Sequence, residues 1–293
     1  MLVDATSSSH KNVSKPAESG LNVMRGFYNN GNACYANAAI QCLLNMNCVK
    51  DTVLKSRDCA LKRVFRRYCI QSKSGDLLDL TELRGDIFPN DLNQQDTSDF
   101  THDVIEKNSD HLKDLFRFNQ ITSTKCSNPR CNDLKQQKER NILYFLRIPH
   151  LDNKSCSMAN LLKFNIDANK QWQPILESKC SQCYTNSHLV TQTIVENPQQ
   201  ILIFVLQLLD DNQMKNTNLK LQEIRSDIEI CNKNYVFSGA VFHHGPRLTE
   251  GHYTAIVKKG TQFYKADDVN LSVCKRWPNN SKDIYMLFYE EKK

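Results

Sequence analysis

A cysteine at position 34 follows the Gly/Asn-rich run GFYNNGNA and opens the apolar stretch CYANAAIQCLL, which puts a thiol at the start of a helix. The first N–H groups of a helix have no intrahelical acceptor and form the positive end of its dipole, so a thiol placed there is biased toward thiolate. Far downstream, GHYTAIV sets His252 in a β-branched run. An imidazole brought alongside the sulfur adds a second cationic partner, and Cys34 and His252 then read as nucleophile and base. Each has a plainer explanation when taken singly. A cysteine in an apolar helix is usually a small core residue, and a histidine in a strand is usually structural. The neighbouring residues decide between these readings.

After His252 comes FYKADDVN, at a distance that a strand, a turn and a returning strand can span. Asp267 brought beside the imidazole would fix its tautomer and stabilise imidazolium; a hairpin turn is the competing explanation, and Asp268 is the weaker choice for the same role. Acyl transfer also needs hydrogen-bond donors aimed at the developing oxyanion. Asn29 precedes Cys34 by five positions, behind a turn containing Gly31 that can fold its amide toward the cleft, and the Cys34 backbone N–H supplies a second donor. Turn chemistry competes for Asn29 and suffices for Asn30 and Asn32.

Two further cysteine pairs have metal-ligand spacing: Cys126 with Cys131, and Cys180 with Cys183 in a C-x-x-C. Four thiolates presented on turn-rich knuckles close a tetrahedral zinc site with no position left for water, so the metal would be structural. Four unmetallated thiols are the alternative. The other seven cysteines outside the Cys34 motif read as ordinary buried or surface thiols.

These residues need a scaffold, and the chain has the means for one. Its 293 residues are 40% hydrophobic, enough for a substantial core. Residues 1–20 are Ser/Lys/Asn-rich without periodicity and read as a disordered tail. From Cys34 to about Leu115 the pattern is mainly helical. QDTSDFTHDVIEKNSDHLKDLF, with Phe100, Val104, Ile105, Leu112 and Leu115 near helical spacing, is expected to be an amphipathic helix packed on the first. Beyond about residue 118 the apolar runs become short and β-branched or aromatic: ILYFLRIP, HLVTQTIV, QILIFVLQLL, YVFSGAVFHH, HYTAIVKK, QFYKA and IYMLFYE are expected strands. Helices first and strands afterwards give an α+β arrangement, a helical lobe against a largely antiparallel sheet.

The composition also excludes several classes. No apolar run approaches the ~20 residues of a spanning helix, and the N-terminus is too polar for a secretory signal, so no membrane association is expected. Net charge is +6 with the basic residues dispersed; the one cluster, KRVFRRY, reads as the wet face of a helix, so no nucleic-acid partner is expected. Twelve cysteines in a long chain without a signal favour thiols and metal ligands in a reducing compartment.

Three separated motifs resemble those of the ubiquitin-specific protease family, the papain-like cysteine deubiquitinating enzymes, over about residues 22–290. GFYNNGNACYAN matches the family's Cys box. QQDTSDF matches its middle signature, with Asp99 where Glu is usual. His243-His244-Gly245, Gly251-His252-Tyr253 and FYKADD, closed by IYMLFY, match its His box. The resemblance implies a catalytic domain over residues 21–293, with a helical thumb at about 21–118, β fingers at about 119–200 carrying the zinc ribbon, and an antiparallel β palm at about 200–293. It implies Cys34 as nucleophile, His252 as base, Asp267 as orienting residue and Asn29 as oxyanion donor. It further implies that Asp96 and Asp99 meet basic side chains near the C-terminal tail of ubiquitin, and that Tyr253 walls the narrow passage for its Gly-Gly end. The expected activity is thiol-dependent hydrolysis of the isopeptide bond after that Gly-Gly, by a monomer in the cytoplasm, the nucleus or both, with no catalytic cofactor. A ubiquitin-binding protein with a misaligned catalytic set and a protease for another ubiquitin-like modifier are the alternatives.

Overall fold

The computed structural model describes residues 24–70, 77–89, 93–149, 155–183, 188–209, 215, 220–247, 250–275, 277–278 and 282–292. The tail expected at residues 1–20 lies outside them. Among the described residues six helices come first: α1 (Cys34–Asn45), α2 (Asn47–Lys55), α3 (Ala60–Cys69), α4 (Thr81–Ile87), α5 (Thr97–Glu106) and α6 (Asp110–Lys113). Strands follow: β1 (Phe118–Cys126), β2 (Leu134–Asn141), β3 (Leu143–Arg147), β4 (Ser155–Ser157), β5 (Gln173–Pro174), β6 (Leu189–Glu196) and β7 (Ile201–Gln207). The remainder are β8 (Lys220–Gln222), β9 (Ile228–Ile230), β10 (Lys233–Arg247), β11 (Glu250–Lys259), β12 (Gln262–Asp267), β13 (Asn270–Val273) and β14 (Ile284–Glu291).

An eight-stranded sheet in the order β13-β12-β11-β10-β14-β7-β3, with β9 on β10, forms the palm. It is antiparallel except where β3 runs parallel to β7. A separate four-stranded sheet, β2-β1-β6-β5, forms the fingers. This is the expected α+β division of a helical lobe against sheets. The one long helix expected over Gln95–Phe116 is two. Asn108 donates its side-chain amide to the Val104 carbonyl at 2.5 Å, and Ser109 then caps α6 by accepting from the Leu112 N–H. Local side-chain bonds of this kind end one helix and start the next.

Two strands carry no apolar alternation. β2, LKQQKERN, is almost wholly exposed, and β1 is only half-buried. They form because each pairs along its full length, β1 lying between β2 and β6. A helical interlude, α7 (Met158–Leu162) and the turns that follow it to Lys170, also breaks the strand-only expectation. Asn165 holds it down, donating to Arg147 O and Leu161 O at 2.9 Å and accepting from the Arg147 N–H at 2.8 Å.

Helix α1 is buried on every side from Cys34 to Leu44. It lies between the palm and α5, so Ala, Ile and Leu all round it are satisfied; an amphipathic stripe would leave one face empty. Gly239 of β10 permits the close approach, since a Cβ there would lie 3.1 Å from Ile256 O and 3.5 Å from Cys42 Sγ. At its far end, the Asn45 amide donates to Lys258 O of β11 at 2.9 Å. From Cys34 to Asn45 the helix rises about 16 Å. From Lys258 back to His252, β11 covers about 20 Å. Pinning one end of the pair therefore places Cys34 beside His252 at the other.

Candidate active site

The site is assembled by this helix, two palm strands and the turn between β12 and β13. Ala255 is paired with Ala266 across β11 and β12. Directly opposed residues share a face and alternate along the strand, so Asp267, one step beyond Ala266, shares the face of Thr254 and His252. Asp267 Oδ1 lies 2.7 Å from His252 Nε2. The imidazole also hydrogen-bonds the Cys34 side chain. With Nε2 committed to the carboxylate, Nδ1 is the atom left for the sulfur.

The hydrogen bond to Cys34, joined by that to Asp267 and opposed by partial burial, raises the His252 pKa to about 9. The imidazole is therefore held as imidazolium at neutral pH, paired with sulfur on one side and carboxylate on the other. Asp267 is partly buried, which pushes its pKa up, but hydrogen bonds from His252 and from Lys265 outweigh this and hold it below the ordinary carboxylate range. Lys265 sits two positions earlier on the same strand face and donates to Asp267 Oδ2 at 2.9 Å. Each oxygen of Asp267 thus has its own cation.

Asp268 has a different task from its neighbour. Its Oδ2 stands 4.0 Å from His252 Nε2, too far for a hydrogen bond, and instead accepts from the Asn29 amide at 2.8 Å. Its Oδ1 accepts from the Asn37 amide at 2.8 Å, and Asn37 also donates to Tyr28 O at 3.1 Å. Asn29 is gripped at its other end as well, its Oδ1 accepting from the Ala33 N–H at 2.6 Å. One N–H of the exposed Asn29 amide is left over, beside the N-terminus of α1. That helix has no side-chain N-cap bond, so its first-turn N–H groups are not taken up by a capping residue. The sequence reading gave no role to Asn37 and no anchoring role to Asp268; the signals available for Asn37 were its place at the end of the Cys-box match and its i+3 spacing from Cys34.

Asp96, Asp99 and Tyr253 gather on the α5 side of the cleft. Asp96 caps α5, one oxygen accepting from the Ser98 N–H at 2.6 Å and the other from the Tyr285 hydroxyl at 2.6 Å. Asp99 is exposed, and partial burial of its carboxylate together with the charges of Asp96 and Asp103 raises its pKa. Tyr253 is buried, with its ring 4.6 Å from that of His243 and 6.4 Å from that of Tyr285.

At the fingers, Cys126 and Cys183 have their sulfurs 3.6 Å apart and Cys131 and Cys180 theirs 3.7 Å apart, all four lying within 4.8 Å of one another. Tetrahedral zinc with Zn–S bonds of about 2.3 Å sets its sulfurs about 3.8 Å apart. The wider first loop is no obstacle: Cys131 N–H bonds to Asn128 O and Arg130 N–H to Asn128 Oδ1, so the extra residues are taken up in a turn.

Comparison with known proteins agrees with this geometry. The chain is 22% identical to the mouse ubiquitin carboxyl-terminal hydrolase 17-like proteins D and C, each match covering 90% of this chain and 54% of the relative. It thus spans about half the length of the curated relatives it matches. The fold superposes on the SAGA Ubp8/Sgf11/Sus1/Sgf73 DUB module, solved bound to ubiquitin aldehyde, with a TM-score of 0.74 at 17% identity over 93% of this chain and 70% of that one. The same module solved with monoubiquitin matches equally well. The sequence model of the ubiquitin carboxyl-terminal hydrolase family matches residues 25–289, and the chain belongs to that family.

Proposed function

We propose that the protein is a deubiquitinating cysteine protease that hydrolyses the isopeptide bond after the C-terminal Gly-Gly of ubiquitin. The observation that carries this reading is the chain of hydrogen bonds Cys34–His252–Asp267, with the Asn29 amide held beside it by Asp268. The Cys34 thiolate attacks the carbonyl carbon of the last glycine. The resulting oxyanion takes hydrogen bonds from Asn29 and the Cys34 backbone N–H. As the C–N bond breaks, His252 gives its proton to the departing lysine amine, leaving ubiquitin as a thioester on Cys34. Water, deprotonated by the now neutral His252, attacks the thioester; the acid is released and the thiolate–imidazolium pair returns.

Asp99, an exposed residue at the start of α5, supports recognition of a basic tail, with Asp96 behind it, while the buried Tyr253 narrows the approach so that glycine passes and larger side chains clash. The alignment of the catalytic set argues against a scaffold that only binds. Cys126, Cys131, Cys180 and Cys183 would hold a zinc ion, which ties the ends of β1 and the β5–β6 region together and supplies no chemistry to the cleft. None of the twelve cysteines is in a disulfide, which supports a reducing cytoplasmic or nuclear location for a monomer acting on ubiquitinated proteins. Among the described residues no helix is long and apolar enough to cross a membrane.

The pure protein under reducing conditions is expected to release the fluorophore from a ubiquitin C-terminal amide, with Cys34→Ser abolishing turnover while retaining ubiquitin binding. No turnover by the folded parent protein would overturn the reading.

A further inference from the structure

The loop carrying Asn29 turns sharply on the surface of the protein. Gly31 and Asn32 both have positive φ, 58° and 57°, and Asn29 to Asn32 are exposed. For a donor to lower a barrier it must be fixed before the charge develops. Arg84, from the middle of α4, lies beneath this loop and is only 5% exposed. Its three nitrogens each have a different partner: Nη1 donates to Asn30 O at 2.5 Å, Nη2 to Gly31 O at 2.7 Å and Nε to the Tyr35 hydroxyl at 3.1 Å. The guanidinium carbon also stands 5.4 Å from the centre of the Tyr35 ring. One planar cation therefore joins two successive carbonyls of the loop to the residue that follows the nucleophile.

Asp79 completes the arrangement. It accepts from the Asn30 amide and from the Thr81 N–H, each at 2.5 Å, and the charge of Arg84 is among the influences that hold its pKa down. Tyr28 N–H donates to Leu78 O at 2.8 Å, and Leu78 N–H to Gly26 O at 3.1 Å, so the segment leading into α4 is stitched to the strand-like entry of the same loop. A buried guanidinium with no carboxylate in hydrogen-bond contact is costly to keep unless its donors are all used. Here two nitrogens hold successive backbone carbonyls and the third holds the Tyr35 hydroxyl, a set that a shorter cation could not bridge together.

We propose that Arg84 is a positioning residue for oxyanion stabilisation: it sets the 29–31 loop against α1 so that the Asn29 amide and the helix N-terminus converge on one point. This rests on the protease reading above. Arg84 touches neither the sulfur nor the imidazole, so its loss should disturb the stabilised transition state and leave nucleophile activation intact.

Arg84→Met and Arg84→Lys test this with three readouts beside the parent protein. Turnover of a ubiquitin fluorogenic substrate should lose about 10- to 100-fold in kcat with KM within about twofold, as expected when a donor shifts while binding stays the same. Alkylation of Cys34 by iodoacetamide, which forms no oxyanion, should stay within about threefold. Amide hydrogen exchange across residues 26–33 should quicken by about 10-fold while β11 keeps its protection. Lysine keeps the charge and most of the buried volume, so it carries the test if the methionine variant does not fold. A kcat within twofold of the parent, or alkylation falling in step with turnover, would overturn the proposal. An inactive parent would overturn the protease reading instead. The exchange measurement then still decides the role of Arg84, since an unchanged rate at 26–33 contradicts it.

Discussion

The Asn29 amide donates to Asp268 at 2.8 Å although the two residues are 239 positions apart, and this contact divides the work of two adjacent acids. Asp267 faces the imidazole and Asp268 faces the loop that carries Asn29. Consecutive residues of extended chain point to opposite sides, and Asp268 is turned further by a left-handed backbone with φ of 52°. A single Asp-Asp step thereby serves both halves of the site.

The two acids should fail differently. Asp268→Ala is expected to lower kcat by about 10- to 100-fold by freeing Asn29, with the basic limb of the pH profile unmoved. Asp267→Asn should shift that limb as well as lower the rate. Paired pH–rate profiles check this, and identical profiles for the two variants would contradict the division.

The pH dependence follows from His252. Its pKa rises from 6.5 to about 9, so the imidazolium persists at neutral pH and is lost as pH rises through about 9. Activity that needs this proton for the leaving amine should fall on the same limb. The stabilising pairing of His252 is likewise complete below about 6.5 and lost between there and about 9. Because the bond to Cys34 is the largest contribution, Cys34→Ala should lower the imidazole pKa more than Asp267→Asn does. An NMR titration of His252 measures both.

Lys265 restrains the same imidazole indirectly by sharing Asp267. Lys265→Met removes a competing cation, so the His252 pKa and the basic limb should move upward by a few tenths of a unit, with exposure of the lysine keeping the effect small. A downward shift would contradict this.

Zinc content is directly measurable. Metal analysis should give one zinc per chain, and chelation or Cys180→Ser should lower Tm and raise exchange in β1 and β6, with kcat on a small C-terminal substrate changing little. No bound zinc in protein purified under reducing conditions would contradict the assignment.

Much of this was legible because short-range patterns and chemistry coincide. Cys34 could be placed from the helix start, and the apolar runs named β7, β10, β11 and β14 because buried strands must be apolar. Asp267 was within reach because a strand, a turn and a returning strand fit the distance from His252, and the family motif implied it. β1 and β2 were hidden because their stability comes from pairing and carries no alternating signature. Arg84 and Asn37 were hidden because their partners are backbone carbonyls and distant acids, and a polar residue aimed at a carbonyl leaves no trace in hydropathy. The break at Asn108–Ser109 was written in capping residues, but the apolar spacing across it was continuous enough to mask them.

The central claim is that Cys34 is a nucleophile served by His252 and aimed at the end of a ubiquitin tail, and a ubiquitin probe bearing a C-terminal electrophile tests it most directly. Incubated with the reduced protein, the probe should form a one-to-one covalent adduct that peptide mapping places on Cys34, is lost in Cys34→Ala, and slows when Asn29 or His252 is replaced. A folded protein that remains unlabelled, or one labelled at another cysteine, would contradict the account.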